Sequence, residues 1–351
     1  MASLTNNFWT RALGPWIAAL LFFGYSSAQA ADRLFAEQSQ LAITLNGPFN
    51  TIDRERDKEK EYPGSLSYVD EAGEKVMLDA KFSVRGNFRL RKDVCSHAQL
   101  WVNLKKSQVK GTLFAKQDKL KLVVQCKDSD RYAEYLAREQ QAYSMFQEVS
   151  DMSLATRRLE VTYADSEKGD SRTQLGFFIE HQKRLAKRND MTIVETPTAD
   201  KKRLDPAQNA IVAMYMYMVS NTDYSMISSA PGAGCCHNIK VLEAQDASLF
   251  PVPYDFDSTG FVATSYAEPS GGLGQSNVKQ RLYRGYCLPE PVMEVAINKL
   301  RDKRERFYEI ISDDPYASKK GVKRATAYID KFYDVIDNPK KLKREIYDEC
   351  R

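Results

Sequence analysis

A chain of 351 residues is long enough to form one large domain or two lobes with a substantial core. Hydrophobic residues make up 43% and charged residues 28% of the chain, which is the balance of an ordinary globular protein. The formal charge is only +4, from 51 basic and 47 acidic residues, so charge gives no reason to expect an anionic membrane as a partner. For the same reason we expect no nucleic-acid partner.

The first thirty residues predict a secretory signal peptide. They carry one charged side chain, Arg11, and an apolar run at 16–25, followed by Ala28 and Ala30 in the small-x-small pattern that signal peptidase reads. The apolar run of about ten residues is too short for a membrane-spanning helix, which needs roughly 20. An uncleaved N-terminal anchor is the alternative. We predict cleavage after Ala30 and a secreted or periplasmic chain, 31–351, with no membrane span after cleavage.

The exported part contains an even number of cysteines, which favours disulfides in such a compartment. They are Cys95, Cys126, Cys235, Cys236, Cys287 and Cys350. Their connectivity cannot be deduced from the sequence. A zinc site at Cys235, Cys236 and His237 is disfavoured, because zinc ligands are usually spaced by two or more residues. A Cys–His catalytic pair at Cys236 and His237 is disfavoured too, because adjacent residues of an extended strand point to opposite faces.

Strands dominate the predicted first half of the exported chain. One helix, at 133–149, interrupts them with apolar residues at helical spacing. The runs that alternate or are rich in β-branched residues are LAITL (41–45), SLSYV (65–69), KVMLDAKFSV (75–84), KLKLVV (119–124), RRLEVTY (157–163) and TQLGFFIE (173–180).

The second half has a different character. A helix is predicted at 206–220, with proline at its start, and a short strand follows at 237–242. From 291 the chain is predicted to be helical, with breaks near 313–315 and at Pro339. This order of elements predicts an α+β architecture with a strand-rich lobe, 31–182, and a mainly helical lobe, 183–351.

Polar residues with oxygen ligands lie on consecutive loops that flank two short strands, the one at 237–242 and the apolar run that leads into Asp255. They are Asp223, Asn238, Asp255 and Asp257, the last two in the stretch PVPYDFD (251–257). A hard ion such as Mg²⁺ prefers oxygen ligands and keeps several waters, so one or two carboxylates and an amide suffice. The alternative for DFD is a turn whose aspartates cap nearby backbone groups.

A lysine and a glutamate come from the first half. Lys119 and Lys121 lie on one face of a predicted strand, and Glu139 lies in the helix that follows. In kinases a strand lysine pairs with a helix glutamate and binds the phosphates. The alternative is a solvent-facing lysine at a strand edge and an ordinary surface glutamate.

Taken in order, these features resemble the CotH-type atypical kinases and, more distantly, the HipA-like kinases. The matching stretches are VRGNFR (84–89), KLKLV (119–123), AREQQAYSMFQEVSDMS (137–153), LGFFIE (175–180), NTDYS (221–225), HNI (237–239) and PVPYDFD (251–257). The resemblance implies a protein-kinase-like two-lobed fold, with a strand-rich N-lobe and a helical C-lobe.

The resemblance also implies a role for each matched residue. Asp223 would orient or deprotonate the acceptor, and Asn238, Asp255 and Asp257 would hold the metal. The residues implied on the nucleotide side are Lys121 or Lys119 at the phosphates, Glu139 steadying the lysine, Arg85 in a phosphate-side loop, and Glu180 at the border of the adenine pocket. The implied cofactors are ATP with Mg²⁺ or Mn²⁺, and the implied acceptor is a hydroxyl, on a protein.

Two departures accompany the match. The kinase pattern DxxxxN is replaced by a longer spacing between Asp223 and Asn238, and the third position of DFG is Asp257. Two alternatives therefore stay open: a catalytically inactive, disulfide-stapled binding module of the pseudokinase type, and a kinase-fold enzyme that transfers AMP or an amino acid.

The cysteines suggest two ties within this picture. Cys95 and Cys126 flank the stretch ending in KLKLVV and are candidates to fix it. One of Cys235 or Cys236 is a candidate partner for Cys287. That bond would bring Arg281 or Arg284 near the cleft, where a guanidinium can bind phosphate. A solvated position for both arginines is the alternative.

Overall fold

Seven strands of the described chain close into a barrel. The computed structural model describes Met1, residues 33–230 and residues 234–351, so the predicted signal peptide lies outside the described residues apart from Met1. The barrel strands are β1 (Leu41–Gly47), β2 (Tyr62–Val69), β3 (Lys75–Arg85), β4 (Gln99–Leu104), β5 (Lys119–Val124), β6 (Thr156–Asp165) and β7 (Ser171–Ile179).

The strand order around the barrel is β1-β2-β3-β4-β5-β7-β6. Neighbours are antiparallel except for β1 and β6, whose parallel pairing from Leu41 opposite Leu159 to Gly47 opposite Asp165 closes the barrel. A closed barrel is not the strand-rich lobe of a kinase, so the predicted protein-kinase-like two-lobed fold is wrong. Periodicity finds strands but does not say which strands pair, and a pairing between residues so far apart in the chain decides this fold.

The barrel core follows from alternation along each strand. On β5, Leu122 and Val124 are fully buried inside the barrel, whereas Val123 packs with the helices outside. On β7, Phe178 faces the barrel core and Phe177 faces the helices. Because side chains of a strand point to alternate faces, the same strands line two separate cores.

The second core lies among the helices and a small sheet. The longer helices are α2 (Asp130–Gln147), α4 (Pro206–Val219), α5 (Glu290–Asp302), α6 (Arg304–Ser312) and α7 (Lys319–Ile336). The shorter ones are α1 (Phe49–Glu55), α3 (Gln182–Arg188) and α8 (Pro339–Leu342). The small antiparallel sheet has the order β10-β9-β8, from β8 (Thr192–Ile193), β9 (Ile239–Glu243) and β10 (Leu249–Pro253). Asp32–Arg351 forms one compact unit by its contacts.

Helix α4 sets the direction of the chain into the candidate site. Its first turn is capped by Asp205, whose carboxylate accepts from the Gln208 N–H at 2.7 Å, with Pro206 at the first helical position. It ends at Ser220 in the left-handed region, at φ 52°. The Ser220 hydroxyl lies 2.8 Å from the carbonyl of Val278, which fixes the point where the chain leaves the helix.

The cysteines form three bonds. Cys95 pairs with Cys126, which confirms the tie suggested at β5. Cys287 pairs with Cys350 and Cys235 with Cys236, so the suggested bond from Cys235 or Cys236 to Cys287 is wrong. Bonded cysteines agree with an exported protein. In residues 33–230 and 234–351 no helix has the length and apolarity needed to cross a bilayer.

Candidate functional site

A cleft of about 590 Å³ lies where β3, β5 and β7 meet the small sheet. Its basic side chains include Arg85, Lys121 and Lys240, its acidic side chains include Glu180 and Asp255, and its aromatic side chains are Trp101 and Tyr254. Several residues singled out by the sequence therefore share one cavity, although the barrel differs from the expected lobe.

Lys121 is the central cation of the cleft. Its ammonium lies 5.0 Å from the centre of the Tyr254 ring, and the Lys240 ammonium lies 4.7 Å from the same ring. Burial, together with the charge of Arg85, lowers the pKa of Lys121 to about 8, while Asp255 opposes that change. Burial also lowers the pKa of Lys240. Two cations are thus held near one aromatic ring. A bound anion would reduce the repulsion between them.

Asp255 is the carboxylate that faces the cleft. It follows β10 in the left-handed region, at φ 66°, and its N–H donates to the Tyr143 hydroxyl at 2.9 Å. Its side chain is 38% exposed. Burial opposes its ionisation, but Lys121, Arg89 and Arg85 together hold the pKa of Asp255 below its usual value. This carboxylate is therefore ionised and accessible.

A charge cluster, here called the Arg89 cluster, extends from Asp255 into the protein interior. It consists of Arg89, Glu139, Asp255, Asp257 and Tyr266. The Arg89 guanidinium is 3.2 Å from a Glu139 oxygen, 3.2 Å from an Asp257 oxygen and 3.9 Å from an Asp255 oxygen. The Tyr266 hydroxyl donates to Asp257 at 3.1 Å. One guanidinium thus connects three carboxylates.

The pKa values in the Arg89 cluster reflect burial. Burial raises the pKa of Glu139 to about 7, although Arg89 opposes the change. Burial also raises the pKa of Asp257, again against Arg89. Asp257 faces Arg89 and Tyr266, whereas Asp255 faces the cleft. The two aspartates of DFD therefore have different environments. Asp255 is accessible from the cleft, and Asp257 is buried behind it.

Asp223 and Asn238 form a second group with His237. The His237 Nε2 lies 2.9 Å from an Asp223 oxygen. The Asn238 side-chain amide donates to the Asp223 carbonyl oxygen at 2.6 Å and to its carboxylate at 3.2 Å. Both Asp223 and His237 are about half exposed, at 57% and 47%.

The small sheet places this group beside Asp255. Strands β9 and β10 are antiparallel with Ile239 opposite Pro253, and the Tyr254 N–H donates to the Asn238 carbonyl at 3.1 Å. The charge of His237 contributes to lowering the pKa of Asp255. Asn238 precedes β9 and Asp255 follows β10, at the end where the two strands pair. The two residues are therefore close in space although they are distant in sequence.

Three predicted nucleotide-side residues are already bonded to, or lie against, other parts of the protein. Glu180 borders the cleft, but its carboxylate binds Arg188 at 3.0 Å and accepts from the Ala155 N–H at 3.1 Å. Lys119 lies outside the cleft lining, with its ammonium 4.8 Å from the Trp101 ring centre. Arg85 lines the cleft from the end of β3 and donates to the Leu122 carbonyl of β5 at 2.9 Å.

Glu139 contacts Arg89, whereas the sequence suggested a lysine partner. The charge of Lys121 is still near enough to lower the pKa of Glu139. Arg89 lies in the quoted stretch VRGNFR, but no role was assigned to it. The available signal was charge balance, because buried carboxylates require a buried cation.

Other site residues were missed as well. They are Trp101, Tyr143, His237, Lys240, Tyr254 and Tyr266. Tyr254 lies inside the quoted PVPYDFD, between the strand and Asp255, and that position was a usable signal. Arg284 does approach the site, since it donates to the Thr222 carbonyl, but it does so without the suggested Cys287 bond.

Among the described residues no group of three or more His, Cys, Asp and Glu side chains is arranged to hold a metal ion. An ion that arrives with a nucleotide needs fewer protein ligands, because phosphates and water supply the rest. The ionised, accessible carboxylate of Asp255 next to Asn238 fits that kind of site. Asp257, held by Arg89 and Tyr266, fits it less well.

Comparison of the chain with protein-family models, with curated proteins and with solved structures found no match. The kinase resemblance therefore stays a prediction from the sequence.

Proposed function

We propose that the chain is an exported phosphotransferase that moves phosphate from a nucleotide with bound Mg²⁺ or Mn²⁺ to a hydroxyl, on a protein acceptor. The observation that carries the proposal is the meeting of Lys121, Arg85 and Asp255 in one cleft. Phosphoryl transfer needs cations at the phosphates and a carboxylate at the metal, and little else from the protein.

The cations of the cleft suit a phosphate chain. The Lys121 and Lys240 ammonium groups both lie within about 5 Å of the Tyr254 ring centre, and Arg85 lines the same cleft, so three cations are already gathered where an anion would bind. Bound phosphate would offset the mutual repulsion of Lys121 and Arg85. The Trp101 side chain adds apolar area to the cleft lining that a base can contact.

The metal ion would be held by Asp255, with Asn238 as the adjacent amide. When bound, the ion would neutralise charge on the phosphates. Arg89 holds the second aspartate, Asp257, behind Asp255. The Tyr143 hydroxyl accepts the Asp255 N–H and so fixes the backbone that carries the metal-side carboxylate.

The acceptor side would be formed by Asp223 and His237. The Asp223 carboxylate receives hydrogen bonds from His237 and Asn238 and is half exposed. Such a carboxylate can orient an acceptor hydroxyl or take its proton. The exposed position suits an acceptor as large as a protein.

A second candidate function is binding of the same nucleotide without turnover. Asp257 favours it, because this predicted metal ligand is buried against Arg89 and Tyr266. A third outcome, transfer of AMP or ligation of an amino acid, would use the same cations, and the product distinguishes it.

The test incubates the full chain, with its disulfides intact, with Mg²⁺ or Mn²⁺ and ATP labelled at either the α- or the γ-phosphate. Acceptors are the chain itself and a generic protein. We expect transfer of the γ-label, and a loss of about a hundredfold or more in Asp255→Asn and Asp223→Asn. Asp334→Asn, an exposed aspartate on α7, is the matched control and should keep full activity.

Other outcomes separate the candidates. Transfer of the α-label would show adenylyl transfer instead. A metal-dependent rise in melting temperature with ATP, without any labelled product, would support the binding module. Absence of both transfer and a melting-temperature rise would contradict the proposed function.

A further inference from the structure

A second cavity, of about 600 Å³, lies away from the cleft and is here called the α2–α7 groove. One wall is the face of α2 from Asp130 to Arg138, and the other is the face of α7 from Arg324 to Lys331. Its floor is the segment 260–263, and Lys279 completes the rim. None of these residues belongs to the site described above.

The groove has an excess of positive charge. Five of its lining side chains are basic and two are acidic: Arg131, Arg138, Lys279, Arg324 and Lys331 against Asp130 and Glu134. The whole chain has a formal charge of only +4, so this is a local concentration of charge.

Glu134 is already satisfied and does not neutralise the rim. It accepts from Arg138 (i, i+4), from Arg324 at 3.3 Å and from the Ser318 hydroxyl at 3.2 Å. Arg138 is 7% exposed, and it also donates to the Gly321 carbonyl at 3.2 Å. One carboxylate thus serves two guanidinium groups, and the buried base of the groove remains cationic.

The rim cations are available. Lys279 and Lys331 are exposed, and no ion pair joins either ammonium to another of the described residues. Arg131 donates to the neutral Tyr135 hydroxyl at 2.6 Å. An anionic ligand therefore does not have to break an existing ion pair of these three side chains.

The walls of the groove are held rigidly. A methyl group at Gly260 would lie 2.4 Å from the Val278 carbonyl and 2.5 Å from the Tyr328 hydroxyl, so only glycine permits this close approach. The Arg281 guanidinium stacks 4.0 Å from the Tyr328 ring centre and donates to the Tyr328 carbonyl at 2.6 Å. Loop and helix are thereby fixed to each other, and the cavity is preformed.

We propose that the α2–α7 groove binds an acidic peptide segment of a partner protein, with Arg131, Lys279 and Lys331 contacting its carboxylates. The groove also offers apolar contacts from Tyr135, Tyr328, Ala263 and Ala327, which suit apolar side chains between the acidic ones. Asp130 on the same rim would repel a uniform polyanion such as nucleic acid, but it can accept from the N–H groups of a peptide. The inference holds whether or not the cleft transfers phosphate.

The test uses the full chain and a fluorescein-labelled peptide of alternating Glu and Leu, with binding followed by anisotropy at low salt. We expect saturable binding that weakens about tenfold or more in the double variant Lys279→Glu/Lys331→Glu, because two attractive contacts become repulsive. The double variant Lys75→Glu/Lys110→Glu changes the net charge equally at two exposed positions of the barrel region and should bind as the parent does.

Two further probes complete the test. A Lys/Leu peptide of equal length should not bind, and a single-stranded oligonucleotide should bind more weakly than the Glu/Leu peptide. An equal loss of peptide affinity in both double variants, or tighter binding of the oligonucleotide than of the peptide, would show that the groove is a nonspecific basic surface. Either result would overturn the proposal. Melting temperatures of the two variants confirm that each is folded, so lost binding is not lost structure.

Discussion

The barrel interior and the Arg89 cluster are both largely buried, but the first consists of apolar side chains and the second of charged ones. The barrel core consists of side chains such as Phe82, Leu122 and Phe178, all fully buried and apolar. The Arg89 cluster buries a guanidinium against carboxylates, with Arg89 8% and Glu139 2% exposed. Apolar burial stabilises a fold directly, whereas a buried ion pair roughly breaks even against apolar residues of the same shape. The contrast indicates that the first region holds the fold together and the second serves the site.

Removing the central cation of the cluster should have the largest effect. Arg89→Met would leave Glu139 and Asp257 without their shared partner, and we expect a loss of about 3–5 kcal/mol in the free energy of unfolding. Denaturant unfolding measures this. Arg91→Met is the matched control, because Arg91 is exposed and its ion pair is with the exposed Asp93, so we expect a much smaller loss. A similar small loss in Arg89→Met would show that the cluster is solvated.

Truncation inside the barrel should have a comparable but somewhat smaller effect. Leu122→Ala removes a fully buried side chain and leaves a cavity, so we expect a loss of about 2–5 kcal/mol. Nucleotide binding by the folded variant should be nearly unchanged, because Leu122 faces away from the cleft. Reduced affinity with normal stability would contradict the assignment of the two strand faces.

The neighbouring residue on the same strand should respond in the opposite way. Lys121→Met removes a charge that burial destabilises, so stability should be unchanged or higher by about 1 kcal/mol at pH 7. The gain should shrink as pH rises from about 8 to 10.5, because the folded protein loses the Lys121 proton before the unfolded chain does. Thermal unfolding at pH 7 and pH 10 tests this, and a large destabilisation at pH 7 would show that the lysine is structural.

The last effect should be a pH dependence from Glu139. Its pKa is raised from 4.5 to about 7 in the folded protein, so the folded state keeps a proton that the unfolded chain releases. The stability of the parent should therefore fall relative to Glu139→Gln as pH rises from 4.5 to 7, and the difference should be constant above 7. Urea unfolding at pH 5, 6 and 8 gives the slope. A rise across that window would mean that Arg89 outweighs burial.

The sequence predicted what depends on local pattern. The alternation at 119–124 gave β5 with its observed bounds, and the helix at 133–149 corresponds to α2 at Asp130–Gln147. Residues that border strand ends, such as Asn238 and Asp255, were expected together and are adjacent. Strand β4 was missed, although Leu100, Val102 and Leu104 alternate along QLWVNL and are buried in the barrel.

What depends on distant pairing was not predictable. The barrel closes through the pairing of β1 with β6, and the sequence of neither strand specifies the other as its partner. The position of Arg89 depends on three other segments that meet around it. The Cys287–Cys350 bond likewise depends on where the last helices return. Each of these errors concerns which segments meet, while the elements themselves were largely found.

The most direct test of the central claim is an equilibrium titration of the full chain with ATP, with and without Mg²⁺ or Mn²⁺. The proposed cleft predicts saturable binding that requires the metal ion and weakens about tenfold or more in Lys121→Met, with Lys110→Met unchanged. Binding that is absent, independent of the metal ion, or equally tight in Lys121→Met would contradict it.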